Sequence, residues 1–208
     1  MKYSFSLIII FIFFLPQTIF SQTCKQLAPF RTWSSSTTPA INYYIDQSIY
    51  MSDYRATIEA AASKWNGQQN RNWPNLNHQY STKSHPAYHN EDGKNVINFG
   101  YLANSSKVAT TINRAQGNFS STIIESDIII DYNRYLSNEF FTGYSSAGVV
   151  PSNQYDLLTV MVHELGHLLG LGHTPDNHCS ALVMYVYIPM GTRRYIQNYE
   201  ATVLKQHY

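Results

Sequence analysis

Ile41-Asn42-Tyr43-Tyr44-Ile45 nearly alternates apolar and polar positions and is rich in β-formers, so the pattern predicts a strand. The period then lengthens. Tyr54, Ile58, Ala61, Ala62 and Trp65 share one face of a helix that Ser52 or Asp53 can cap and Gly67 ends. Residues 68–95, with Pro74, Pro86, Gly93 and many asparagines, read as loop. Val96 to Phe99 predicts a short second strand closed by Gly100. Ser126 to Asp131, with Ile128-Ile129-Ile130 at its centre, predicts a third strand buried on both faces. After an Asn/Ser/Gly-rich loop at 133–146, Ala147 to Val150 reads as a short edge strand stopped by Pro151. Residues 154–169 carry the longest apolar helical pattern, ended by Gly170 and Gly172. Arg193 to His207 reads as a second amphipathic helix, with Tyr195, Tyr199, Thr202 and Val203 on one side. Strands and a helix come first and the long helix follows, an α+β layout rather than an alternating parallel one.

The first 21 residues break this pattern. Lys2 precedes an unbroken apolar run from Leu7 to Leu15, Pro16 interrupts it, and the small Ser21 offers a cleavage position before Gln22. The run is shorter than the roughly 20 residues a membrane span needs, so residues 1–21 read as a secretory signal peptide. Residues 22–40, polar and Ser/Thr-rich, are a lead-in or short pro-segment, and 41–208 form one domain. The expected location is secreted, extracellular or periplasmic, with no stable membrane span after signal removal. Charge adds a further exclusion. Fourteen basic against thirteen acidic residues leave no surface suited to phosphates, so nucleic acid is not an expected partner.

Chemistry concentrates in the long helix, which reads His163-Glu164-Leu165-Gly166-His167-Leu168-Leu169-Gly170-Leu171-Gly172-His173. His163 and His167 are four apart, so they stack on one face, about 6 Å apart along the axis, and can converge on one Zn²⁺. Glu164 is one step round, beside the metal, where it can reach a bound water instead of ligating. Gly170 can take positive φ and reverse the chain, which brings His173 in as a third nitrogen ligand. Three protein ligands leave one position for water, as in catalytic rather than structural zinc sites. His78, His85, His89 and His178 lie in polar stretches without tight spacing and read as surface histidines.

This string resembles the extended zinc signature of the metzincin metalloproteases. Ser180-Ala181-Leu182-Val183-Met184-Tyr185, just beyond His173, resembles their methionine turn, with Met184 under the histidines. Thr174 after the third histidine and Tyr185 after the methionine make the matrixins, the matrix-metalloprotease-like group, the most similar. The resemblance implies a metzincin-like catalytic domain: a small twisted mixed sheet with an active-site helix and a C-terminal helix. It also implies a zinc endopeptidase with a protein or peptide substrate, expected to act as a monomer. In that reading Glu164 is general base, and His163, His167 and His173 hold one catalytic zinc. Ala147, Gly148 and Val149 occupy the place of the substrate-binding edge strand, and Val186, Tyr187 and Ile188 wall the specificity pocket. Some family features are missing. The 132–146 loop holds no histidine or aspartate, so structural zinc is not carried over and calcium is left open. A haemopexin-like domain and the pro-segment cysteine motif are not expected from the residues here, and Val186 stands where a proline usually follows Met-Tyr.

Two readings of the cysteines compete. Cys24 and Cys179 pair as a disulfide in an oxidising compartment, or Cys24 caps the zinc of a latent precursor as a thiolate. Two functional alternatives also stand beside the endopeptidase. One is a secreted binding or adhesion module that keeps the zinc site; the other is a zinc amidase acting on cell-wall peptides.

Overall fold

The structure is a computed structural model that describes residues 24, 31–34, 40–50, 53–79, 91–104, 106–117, 120–144 and 148–208. Residues 1–21, which read as a signal peptide, most of residues 22–40, His85 and His89 lie outside the described residues.

Strand β1 (Ala40–Ile45) turns Ile41, Tyr43 and Ile45 inward, as its alternation predicts. A single turn, α1 (Gln47–Tyr50), leads to α2 (Asp53–Asn66), which buries Tyr54, Ile58, Ala61, Ala62 and Trp65 on one face. β2 (Asn75–Gln79) follows, within the stretch that reads as loop. Its sequence offers a lone buried apolar side chain, Leu76, and the strand exists through its parallel pairing with β1. His78 on β2 is therefore no surface histidine: its ring packs 5.6 Å from that of Tyr43, and its Nδ1 lies 3.0 Å from Glu59. β3 (Asn95–Gly100), β4 (Ala109–Ala115) and β5 (Ile123–Asp131) complete a mixed sheet of order β2-β1-β3-β5-β4. Neighbours run parallel except β4, which is antiparallel to β5 and lies at the edge.

β5 is buried on both faces over its Ile-rich centre, which requires its acids to be neutralised. Arg114, reaching across from β4, pairs with both Glu125 and Asp127. Gly93 and Val96 donate backbone N–H groups to those same carboxylates, 2.6 and 3.0 Å away. Past β5 the chain makes a short helix α3 (Tyr132–Leu136) and a two-residue parallel pair, β6 (Phe140–Phe141) with β7 (Tyr155–Asp156). The predicted strand at Ala147 to Val150 does not form. Gly148, Val149 and Val150 have no strand partner, Val149 is 89% exposed, and Ala147 lies outside the described residues. The edge of the sheet that faces the site is β4 instead.

Helix α4 (Leu157–Leu168) lies across α2, and Trp65 donates its indole N–H to the Val162 carbonyl at 2.8 Å. α4 starts at Asp156, whose carboxylate accepts from the Thr159 backbone and hydroxyl and pairs with Arg193 at 2.8 Å. The last helix, α5 (Asn198–His207), begins later than the hydrophobic pattern predicts and buries Glu200 and Leu204. Tyr195 precedes it and is exposed. Arg193 and Arg194 are held outside the helix because their side chains turn down onto Asp156 and the Tyr185 ring. Among the described residues, no helix is long and apolar enough to cross a membrane. The architecture is α+β, the mixed sheet with an active-site helix and a C-terminal helix that the resemblance implies.

Candidate active site

The C-terminal carbonyls of α4 have no partners within the helix, and each one here is met by a different part of the chain. Leu171 donates its N–H to Gly166 at 2.9 Å, and the Asn113 amide donates to His167 at 2.8 Å. The Trp33 indole donates to Leu168 at 2.8 Å, and the Tyr208 hydroxyl to Leu169 at 3.0 Å. A sheet strand and both ends of the described chain thus hold the stretch that carries the histidines. The reversal that follows demands glycine. Gly170 has φ +101°, and a Cβ there would sit 1.6 Å from the Arg31 carbonyl oxygen.

The reversal brings His173 against the two helix histidines. The Nε2 atoms of His163, His167 and His173 lie 2.9–3.0 Å from one another. Their outer nitrogens fix the tautomers. His163 Nδ1 donates to the Val183 carbonyl and His167 Nδ1 donates to that of Leu171, each at 2.7 Å. A carbonyl can only accept, so both rings carry their proton on Nδ1 and turn an Nε2 lone pair inward. Burial, reinforced by the positive charge of the neighbouring imidazoles, holds His163 well below its ordinary value and brings His167 down to about 4. Inward lone pairs this close repel one another unless a cation lies among them. Nitrogens so spaced can share a point roughly 2.0–2.1 Å from each, the zinc–imidazole bond length. The donor set fits zinc, and the Val183 and Leu171 carbonyls orient two of the three imidazoles.

Met184 lies beneath this cluster, fully buried, in a turn the rest of the fold holds tightly. A Cβ on Gly166 would come 2.4 Å from its sulfur, so the helix glycine is what lets the turn approach. Thr174 donates its N–H to the Met184 carbonyl at 2.9 Å, and Glu200 accepts the Met184 N–H at 2.7 Å. Glu200 is fully buried and pushed up to about 7 by that burial, against the pull of the backbone N–H groups it accepts. The cysteines join as a disulfide, which anchors the lead-in to the segment between His173 and Met184. Of the two readings of Cys24, the structure realises the disulfide and not the zinc cap. Among the described residues, the other cluster with metal-ligand chemistry is Cys24, His178 and Cys179, whose sulfurs are committed to each other.

The three histidines open into a cleft of 650 Å³. Glu164 lies in its wall, 6% exposed, with its carboxyl raised to about 7 by burial. Val186, Tyr187 and Ile188 line the cleft together with Val160 of α4. Gly148 and Val149 do not line it; β4 does, through Ala109, Thr110, Thr111 and Asn113. Among the described residues, no strand pairs with the outer edge of β4. Sequence reasoning missed this strand, although Thr110-Thr111-Ile112 carries a β-branched signal. Glu200, Trp33 and Tyr208 were also missed, because single polar or aromatic residues far apart in the chain carry no pattern.

A family model described as matrixin matches residues 32–208. A stretch of 43 residues is 49% identical to Metalloendoproteinase 1 of Glycine max. It covers 21% of this chain and 13% of that protein.

Proposed function

The chain belongs to the matrixins, a family of zinc-dependent endopeptidases, and on that premise we propose that it is a secreted endopeptidase whose catalytic base is Glu164. His163, His167 and His173 hold the metal in this reading. Zinc bound there supplies Lewis-acid polarisation of the scissile carbonyl and acidifies a water molecule. Glu164 accepts the proton of the attacking water and returns it to the departing amine. Burial raises its carboxyl above the ordinary carboxylate range, which favours return of the proton to the amine, while a bound cation nearby would favour the ionised form that accepts it. The substrate lies extended along the outer edge of β4, pairing backbone to backbone, with a side chain directed between Val160 and the Val186–Ile188 wall.

The observation that carries this reading is the convergence of three inward-facing imidazole nitrogens beside a buried carboxylate at the foot of a cleft. Secretion is supported by the signal-like segment at 1–21 and by a disulfide, which persists in oxidising compartments. The test is Glu164→Ala assayed on a peptide library, with and without chelator. The variant keeps one equivalent of zinc and loses roughly 10²–10⁴-fold in turnover. Retained turnover would overturn the assignment. Cleavage confined to cell-wall peptides would indicate an amidase, and zinc-loaded wild-type protein that cleaves nothing would indicate a binding module.

A further inference from the structure

Thr111 lies on β4, the strand against which the substrate is proposed to pair, and its side chain turns toward α4. Its hydroxyl oxygen is 2.5 Å from Glu164 Oε2 and 3.1 Å from the Glu164 backbone carbonyl. A threonine hydroxyl has one hydrogen to give, and the shorter contact, to a group that ionises, takes it. Two residues further along the same face, Asn113 donates to the His167 carbonyl and accepts from the Ser126 hydroxyl at 2.6 Å. The strand is thus fastened at two points to the helical turn that carries His163 and His167.

We infer that Thr111 is a positioning residue: its hydroxyl holds one carboxylate oxygen of Glu164, leaving the other to meet the attacking water in a fixed direction. This inference rests on the proposed role of Glu164. The geometry explains why the contact matters. The backbone of Thr111 belongs to the strand that aligns the substrate, and its side chain holds the base. One residue therefore sets the distance between the scissile bond and the proton acceptor. Without the hydroxyl, Oε2 has no hydrogen-bond donor among the described side chains, and the carboxylate can turn about its last bond. Misplacement of a catalytic group by about 1 Å can cost on the order of 100-fold in rate.

The experiment compares zinc-loaded Thr111→Val, which keeps the shape and loses the hydroxyl, with Thr111→Ser, which keeps the hydroxyl. For Thr111→Val, kcat is expected to fall about 10- to 100-fold with KM within about twofold of wild type. Zinc content and the affinity for an uncleaved product peptide should not change. Thr111→Ser should recover kcat to within about threefold, and in a Glu164→Ala background Thr111→Val should have no further effect. Unchanged kcat in Thr111→Val, beside an inactive Glu164→Ala, would overturn this inference and leave the general base standing. Equal loss in the Ser and Val variants, or loss of zinc in Thr111→Val, would also overturn it, because the role would then be architectural. An active Glu164→Ala would overturn the functional reading itself.

Discussion

The Cys24–Cys179 disulfide closes a loop of 155 residues, nearly the whole domain, so its removal should be felt globally. On the chain-entropy account, crosslinking residues that far apart removes about 5 kcal/mol worth of unfolded-state freedom. For a domain of this size each kcal/mol moves Tm by roughly 2–4 °C, so the double variant Cys24→Ala/Cys179→Ala should melt about 10–20 °C lower. Local packing supports the upper part of that range. Cys179 is buried in the 3₁₀ turn Asn177–Cys179, donating its N–H to Asp176 and accepting from Leu182, so the segment is already shaped for the bond. Calorimetry of the zinc-loaded protein measures the shift, and reduced wild type should match the double variant. Thiol titration of the denatured, unreduced protein should find no free thiol. Two free thiols, or a Tm within about 3 °C of wild type, would refute the reasoning.

Gly170→Ala should fail to fold or lose at least about 3 kcal/mol, because its Cβ would meet the Arg31 carbonyl and its φ is positive; urea unfolding followed by circular dichroism measures this. Activity should show an acid limb: Glu164 must be ionised to accept a proton, and burial raises its carboxyl to about 7 in the metal-free protein, so kcat/KM falls as pH drops through the folded value. Zinc nearby favours the carboxylate and places that limb somewhat lower, and a profile flat from about pH 5 to 8 would contradict the assignment.

What could be read from the chain follows how far apart the cooperating residues are. The histidine spacing, the apolar face of α2 and the isoleucine run of β5 are local periodicities, and the structure repeats them with boundaries shifted by a few residues. β4 and β2 escaped because neither shows strong contrast. Ala109 to Ala115 is half-buried throughout, and Asn75 to Gln79 has a single apolar side chain. The apolar Gly148-Val149-Val150 attracted the edge-strand assignment instead, yet a strand needs a partner as well as a propensity. The start of α5 moved for a similar reason, since Arg193 and Arg194 are committed to Asp156 and Tyr185.

The site repeats this division on a smaller scale. The proposed metal ligands fall within eleven consecutive residues, but the contacts that hold them come from residues spread over the whole chain. Trp33 and Tyr208 cap α4, Val183 orients His163, Glu200 holds the methionine turn, and Thr111 and Asn113 bind the helix to the sheet. None of these can be recognised in isolation, because a polar side chain looks like surface until its partner is known. Spacing along one helix therefore predicts which chemistry is present. How well that chemistry is aimed depends on long-range hydrogen bonds, and substitutions at those supporting residues should change rate or stability while leaving the zinc signature untouched.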